Sequence, residues 1–479
     1  MFFNSITFAL FLPAVFLLYW FVFQRDLKIQ NIFVIAASYV FYGWWDWRFL
    51  ILIIFTSFCS WGCGLLMQRF DSSYRSLINI SNIVLNLGIL GVFKYYNFFI
   101  ESFISAFASV GIHLQPSTLK IILPVGISFY TFQALSYSID VCKKRIEPTK
   151  DIAAFFAFIS FFPLLVAGPI ERAKNLLPQF CQKRVFDYNK ATDGMRQILW
   201  GFFKKTVIAD NCATYVNYVF ENYQNQTGST LLCGAIFFAF QIYCDFSGYS
   251  DIAIGTGRLF GISAMRNFNY PYFARDIAEF WRRWHISLTT WFRDYVYIPL
   301  GGSRVSKLKI VRNTLAIFLL SGLWHGANST FLAWGLFHAT LFLPFILLGK
   351  NRKYTDTAAE GKLLPSLREV FQIVFTFLLV AIGWVFFRAE SIEQAILYLQ
   401  GIFDTSFFSI PRFRRFSHSE VVKIYLVIMF TAEWLQRNKQ HGLDIARINP
   451  WLRRIVYILI IFSIIFYTGE NEQFIYFQF

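Results

Sequence analysis

The sequence predicts an all-α, polytopic integral membrane protein, and three observations carry that prediction. Hydrophobic residues make up 56% of the 479 residues and charged residues only 15%, whereas an average soluble domain is about 25% charged. Sixty of the residues are phenylalanine, which is more apolar surface than a soluble core can bury without large exposed patches. Apolar stretches also recur along the whole chain at lengths near the ~20 residues that cross a bilayer as a helix.

The first of these stretches, Phe2 to Phe23, is predicted to be a spanning helix that the mature protein keeps. It has no basic segment before it, is too long for the apolar region of a secretory signal and shows no small-residue cleavage site. No part of the chain has the composition of a separate soluble domain. Residues 1–479 are therefore predicted to form a single integral membrane domain in contact with membrane lipids.

The net charge of +16 does not indicate a nucleic-acid-binding protein, because the basic residues lie between the apolar stretches rather than on one face or in one tail. Basic and non-basic loops alternate: the basic ones are 25–28, 69–75 and 143–145, and the others are 101–118 and 221–230. The positive-inside rule therefore predicts a multi-pass protein with its N-terminus outside and its basic loops in the cytoplasm. Arg412, Arg414 and Arg415 do not fit this alternation.

The seven cysteines are scattered along the chain, and no CxxC pair occurs among them. Cys59 and Cys63 have the spacing of one helix face. This distribution predicts neither a disulfide framework nor a zinc site, and no metal is expected. The cysteines are interpreted as packing residues.

One apolar run is interrupted in a way that favours a cavity. Phe161 to Pro169 contains two prolines and a glycine, with basic loops on both sides. The run is either a re-entrant hairpin that returns to the cytoplasm or a kinked structural helix. Non-helical backbone at membrane depth is tolerated only where protein or a water-filled cavity covers it. A hairpin here would therefore indicate a substrate cavity.

The longest polar interruption runs from Arg258 to Arg312 and carries ten basic residues against three acids, with Trp, Tyr and Phe interleaved. Trp and Tyr together with Arg are typical of the membrane–water interface, so helices lying in or dipping into the cytoplasmic face are predicted. Two interpretations of the basic residues remain open. They either anchor the chain to anionic headgroups or form the mouth for an anionic ligand, such as the phosphates of coenzyme A.

The histidines divide by their neighbours: those in apolar or aromatic surroundings are His285, His325 and His338, and those in predicted loops are His113, His418 and His441. His325 follows Arg312 by a distance of ~20 Å along a helix, which is past the middle of a ~30 Å hydrocarbon core. An ionisable side chain at that depth marks a functional site by default. The alternative is a neutral imidazole that joins two helices by hydrogen bonds.

Imidazole suits acyl transfer, because the attacking hydroxyl must lose its proton and histidine has a pKa near neutrality. His285 is predicted as the second member of the site, at the cytoplasmic mouth, and His338 as a structural residue. Asp245 and Asp251 lie in another apolar run. They either carry protons, as in a transporter, or hold neighbouring helices together.

The whole chain, in order, resembles the membrane-bound O-acyltransferase family, in the bacterial branch that acylates cell-surface polymers. The matching stretches are Pro124–Phe132, Gly168–Arg172, Phe246–Gly255, Glu279–Leu288, Tyr297–Gly302, Leu323–Gly326, Gly383–Arg388 and Phe474–Phe479. The resemblance implies a ring of roughly 11–13 tilted and re-entrant helices around a thin centre, with funnels from both faces. It also implies that His325 of the Trp-His-Gly motif is catalytic and that His285 of the Trp-Arg-Arg-Trp-His motif is the second essential histidine.

The same resemblance implies a location in the bacterial cytoplasmic membrane, an acyl group that crosses it and an exported SGNH-type transferase as partner. Acetyl-CoA is the preferred donor, and the polysaccharide acceptor is expected to be bound by the partner. A teichoic-acid type of protein would instead take D-alanine from a carrier protein. Two functions of other classes are a proton-coupled transporter or polysaccharide flippase, and a scaffold that recruits the exported transferase.

Overall fold

The computed structural model describes residues 1–109, 112, 121–412, 419–470 and 472–475. It is 73% helical, and no β-strand occurs among these residues, so the all-α prediction is confirmed. Four residues named above, His113, His418, Arg414 and Arg415, lie outside the described residues, as do positions 476–479 of the last matching stretch.

The chain divides into two compact units. The first unit comprises residues 1–191 and 257–264, and its helices are α1 (Ile6–Leu17, continued by a π-helical turn Leu18–Val22), α2 (Leu27–Asp46), α3 (Leu50–Arg69), α4 (Ser72–Ser109), α5 (Ile127–Cys142), α6 (Ile152–Ser160), α7 (Phe162–Leu165) and α8 (Ala173–Phe180).

The second unit comprises residues 192–256 and 265–479 and begins within α9. Its helices are α9 (Tyr188–Phe202), α10 (Asp210–Glu221), α11 (Gly228–Leu259), α12 (Ile277–Arg283), α13 (Ile286–Phe292), α14 (Lys307–His325), α15 (Ser329–Leu347), α16 (Leu367–Arg388), α17 (Ile392–Ile402), α18 (Ser419–Leu435) and α19 (Pro450–Tyr467). A π-helical segment, Phe203–Ala209, joins α9 to α10 without a break.

Six helical segments in the described part of the chain are long and apolar enough to cross a membrane. They are Leu27–Arg69, Ser72–Ile104, Gly228–Leu259, Ser329–Leu347, Leu367–Arg388 and Pro450–Tyr467. The first predicted span is a shorter apolar helix, Ile6–Val22. Each of the six is at least 18 residues long, close to or above the ~20 residues that a bilayer requires.

The interruption predicted at Phe161 to Pro169 is present in the first unit. Helix α6 ends at Ser160, α7 is a single turn, and residues 166–172 are not helical before α8 begins. The freed amide of Phe162 donates to the Ser38 hydroxyl at 3.0 Å, and Ala167 is fully buried. The irregular backbone is thus covered by protein, as membrane depth would require; its re-entrant course stays a prediction.

Helices α14 and α15 approach each other closely through glycines. A Cβ added to Gly322 would lie 2.3 Å from the Phe331 carbonyl oxygen, and one added to Gly335 would lie 2.5 Å from that of Phe318. Only a residue without a side chain allows this backbone contact. Because His325 is the last residue of α14, the contact at Gly322 also constrains the backbone that carries the imidazole.

Gly322→Ala should therefore destabilise the protein by ~1–3 kcal/mol, the usual cost of overpacking. The readout is thermal unfolding of the purified chain, followed by the reactivity of its buried thiols with a dye. Gly88→Ala in α4 is the matched control, because its new Cβ would meet nothing within 4 Å. Equal effects of the two substitutions would contradict the close packing described.

Candidate active site

A cavity of about 400 Å³ in the second unit brings the two predicted histidines to one place, since both His285 and His325 line it. On α14 the lining residues run from Thr314 to His325, a distance of ~16 Å along the helix. Arg352, in the loop after α15, also lines it. Since α14 and α15 are antiparallel neighbours, that loop lies at the end of the cavity where α14 begins.

His325 ends α14 and is 4% exposed. The next residue, Gly326, has an extended backbone that turns the chain into α15. The imidazole makes edge-on contacts with the rings of Trp334 and Phe387, each with centroids 5.1 Å apart. The unbroken helix from Arg312 confirms the predicted spacing, and the aromatic packing fixes the imidazole beside the cavity.

His285 stands between α12 and α13, and its backbone is left-handed, with φ at 42°. Its Nδ1 lies 3.1 Å from Asn267 Oδ1, and its ring meets that of Phe246 edge-on at 4.7 Å. Burial lowers the pKa of His285 to about 3, so the imidazole is neutral at physiological pH.

The indole of Trp324 packs between the rings of the two histidines. The Trp324 ring lies 4.9 Å from the His325 ring and 5.8 Å from the His285 ring, centroid to centroid. Trp324 is 5% exposed, so its position is fixed by packing. The two imidazoles therefore share one rigid neighbour at the same cavity.

The other histidines that the structure describes do not line this cavity. His338 is fully buried among the rings of Phe280, Trp281 and Trp334. Neither of its ring nitrogens has a hydrogen-bond partner among the described residues, which agrees with a packing role. His441 lies in a loop as predicted.

The arginines of the polar interruption divide into two groups. Arg275 and Arg283 are buried and both pair with Glu279, at 3.0 and 2.8 Å. For these two the headgroup-anchoring interpretation is wrong, because their guanidinium groups are satisfied inside the protein. Arg282 and Arg293 line the cavity, and Arg293 Nε also pairs with Asp294 Oδ1 at 2.7 Å.

Arg282 also fixes the loop that carries Arg352. Its guanidinium donates to the carbonyl oxygens of Asn351 and Tyr354. Three positive side chains, those of Arg282, Arg293 and Arg352, therefore border the cavity that holds the histidines. This arrangement is suited to an elongated ligand with an anionic group at one end.

The two aspartates of α11, buried Asp245 and partly exposed Asp251, are paired with lysines that the sequence did not predict as their partners. Lys205 Nζ lies 2.9 Å from Asp245 and 2.7 Å from Asp210, and Lys204 Nζ lies 2.7 Å from Asp251. Both lysines belong to the π-helical segment between α9 and α10. Two adjacent lysines within the apolar run 198–209 indicate buried ion pairs, and this is the sequence signal for these contacts. These pairs support the helix-holding interpretation of the aspartates.

Comparison with known proteins shows relatives that cover most of the chain. The probable alginate O-acetylase of Pseudomonas aeruginosa is 40% identical over 89% of this chain and 80% of its own length. The peptidoglycan O-acetyltransferase of Helicobacter pylori is 35% identical over 82% of this chain and 77% of its own length. The teichoic acid D-alanyltransferase of Bacillus subtilis is 30% identical over 56% and 69%.

The sequence model of the membrane-bound O-acyltransferase family matches residues 143–387, about half of the chain. That range includes both cavity histidines, their neighbour Trp324 and the three cavity arginines. The apolar helices are thus those of a multi-pass membrane protein, and the enzyme class is acyltransferase. The chain belongs to the membrane-bound O-acyltransferase family.

Proposed function

We propose that this acyltransferase takes acetyl groups from cytoplasmic acetyl-CoA and passes them across the membrane for O-acetylation of a cell-envelope or extracellular polysaccharide. The observation that carries the proposal is the cavity that joins His285 and His325 to three arginines. Its volume of about 400 Å³ lies within the ~300–1,000 Å³ usual for small-molecule sites. Relatives named for alginate and peptidoglycan O-acetylation favour acetyl as the group transferred.

In this proposal the donor lies along α14. The phosphates of coenzyme A contact Arg282, Arg293 and Arg352, and the pantetheine arm extends to place the thioester beside His325. Arginine is suited to phosphate because its planar guanidinium can donate two parallel hydrogen bonds. The donor enters from the cytoplasm, because α14 begins at the basic residues Lys307 and Lys309, which the positive-inside rule places there.

His325 acts as the general base, or transiently as the acyl carrier. As base, its imidazole takes the proton of the acceptor hydroxyl while the oxygen attacks the thioester carbonyl. The C–S bond then breaks, and the imidazolium returns the proton to the coenzyme A sulfur. The buried aromatic surroundings protect the thioester from hydrolysis.

Transfer of the acetyl group to the outside depends on the orientation of the chain in the membrane and on an exported partner. The N-terminus lies outside, and the chain resides in the bacterial cytoplasmic membrane. The polysaccharide is acetylated outside by an exported SGNH-type transferase that receives the acetyl group. An alternative donor, D-alanine on a carrier protein, is favoured by the similarity to the teichoic acid D-alanyltransferase, although that similarity spans less of this chain.

Arg352→Gln should raise the KM for acetyl-CoA about 10-fold and change kcat little, because it removes one charged hydrogen bond to the donor far from the reacting carbonyl. The measurement is release of coenzyme A by the purified full chain at varied acetyl-CoA. Lys353→Gln is the matched control: it removes one charge from the same loop, and Lys353 is not among the described residues that line the cavity. If both variants had the same KM as the unmodified protein, the donor would not bind as proposed.

A further inference from the structure

The amide of Asn267 is the centre of a buried hydrogen-bond network around His285. Its Oδ1 lies 3.1 Å from His285 Nδ1 and accepts from the Ser287 hydroxyl at 2.8 Å and the Ser287 backbone amide at 3.4 Å. Its Nδ2 donates to the Ser250 hydroxyl of α11 at 3.0 Å. Asn267 is fully buried, and every contact lies within the second unit.

The contacts decide which amide atom faces His285. A backbone N–H can only donate, so the Asn267 atom beside the Ser287 amide must be the oxygen. The backbone holds this arrangement as well, because the Ile286 amide donates to the Asn267 carbonyl oxygen at 2.8 Å. The left-handed backbone of His285 then directs its ring towards Asn267.

This orientation fixes the form of the imidazole. An amide oxygen only accepts, so His285 Nδ1 must carry the hydrogen. In a neutral imidazole the lone pair is then on Nε2. His285 lines the donor cavity, whereas Asn267 is not among the described residues that line it. Nε2 therefore lies on the side of the ring away from Asn267.

We propose that Asn267 is a positioning residue that holds His285 in its Nδ1-protonated form, so that Nε2 serves the donor cavity as a hydrogen-bond or proton acceptor. His285 then does not polarise the thioester carbonyl, since that would need a hydrogen on Nε2. It accepts instead from an N–H or O–H group, such as a pantetheine amide or the acceptor hydroxyl. The inference rests on the proposed function for the identity of the ligand, but the tautomer itself follows from the contacts alone.

Two polar side chains lie near His285 Nδ1: Asn267 Oδ1 at 3.1 Å and the Ser287 hydroxyl at 3.4 Å. The hydroxyl donates to Asn267 Oδ1, so towards Nδ1 it can only accept, and it favours the same tautomer. The aromatic rings packed on the imidazole are those of Phe246, Phe268 and Trp324, none of which titrates. The cationic groups that border the same cavity are Arg282, Arg293 and Arg352; they disfavour a positive charge on the ring and leave the choice between its two neutral forms to Asn267 and the Ser287 hydroxyl.

The direct test is nitrogen NMR of the purified full chain labelled with ¹⁵N-histidine. The signals of His285 are assigned by their loss in His285→Gln. We expect Nδ1 protonated and Nε2 unprotonated in the unmodified protein, and a mixture of the two forms in Asn267→Ala. A His285 that carries its hydrogen on Nε2 in the unmodified protein would overturn the proposal.

Kinetics supply the second test. Asn267→Ala should lower kcat by ~10- to 100-fold, in the range seen when a group that orients a histidine is lost. The pH at which activity falls on the acid side of the profile should not change. Asn267→Asp keeps an acceptor at Nδ1 but adds a negative charge, which raises the histidine pKa. Activity should then be lost at a higher pH than in the unmodified protein, because a protonated Nε2 cannot accept.

Asn269→Ala is the matched control, two residues along the same segment, because Asn269 Oδ1 has no hydrogen-bond partner among the described residues. It should leave both kcat and the pH profile unchanged. An unshifted acid limb in Asn267→Asp would contradict the proposal. If the NMR result holds but the chain releases no coenzyme A from acetyl-CoA, the donor is wrong and the tautomer stands, so the two failures can be told apart.

Discussion

Replacing His325 with alanine should abolish acetyl esters on the cell surface while the protein is still made and inserted. His325 is the last residue of α14, and its imidazole packs against the rings of Trp334 and Phe387 beside the cavity. The substitution removes the group that accepts the hydroxyl proton. Loss of general base catalysis alone should lower the rate of acetyl transfer by ~10²–10⁴-fold. The measurement is the ester content of whole cells, normalised to the amount of protein in the membrane.

His338→Gln is the control for this experiment. His338 is as deeply buried as His325 and lies on the adjacent helix α15, but it is not among the described residues that line the cavity. The variant should lower stability and retain surface esters in proportion to the protein that remains. A normal ester content in cells with His325→Ala would show that His325 is not required for acetyl transfer.

Glu279→Ala should cause the largest loss of stability, ~3–5 kcal/mol, which is the cost of leaving buried charge without its partner. Glu279 is 1% exposed and accepts from Arg275 and Arg283. Its removal leaves two buried guanidinium groups without this carboxylate. Both arginines also donate to the Asp356 carbonyl oxygen in the loop that carries Arg352, so the donor cavity should lose its shape as well.

Thermal unfolding of the purified protein, reported by dye labelling of the buried thiols of Cys212 and Cys244, measures this effect. Arg48→Ala is the control, since the Arg48–Asp46 pair is exposed and pairs of that kind contribute little. A melting temperature for Glu279→Ala close to that of Arg48→Ala would show that the buried cluster does not stabilise the fold.

Much of the fold follows from local features of the sequence. Long apolar runs predict the membrane helices, and prolines with a glycine predict the break that begins at Phe161. The spacing of His325 from Arg312 could be predicted because both residues belong to one helix. In each case the signal lies within one segment of chain.

The remaining features depend on contacts between distant segments. Asn267 lies 18 residues before His285 in a stretch without helical periodicity, so nothing local indicates that the two side chains meet. Arg275 and Arg283 are spaced around Glu279 by one helical turn on either side, but their burial depends on the loop at Asp356. An arginine-rich, aromatic sequence is equally compatible with a membrane surface and with a buried cluster.

The transporter interpretation is weakened by the same long-range contacts. A proton carrier must change its charge during the cycle, whereas Asp245 and Asp251 each lie within 3 Å of a buried lysine. Those ion pairs tie α11 to the segment between α9 and α10. They are better suited to holding helices in place than to releasing protons.

The central claim, acyl transfer from acetyl-CoA through His325, is tested most directly with labelled acetyl-CoA and the purified full chain. Release of free coenzyme A should be observed with the unmodified protein, and it should fall to the uncatalysed rate in His325→Ala. A scaffold or a transporter would release none with either protein. Equal release by both proteins would contradict the assignment of His325, and no release by either would contradict acetyl-CoA as the donor.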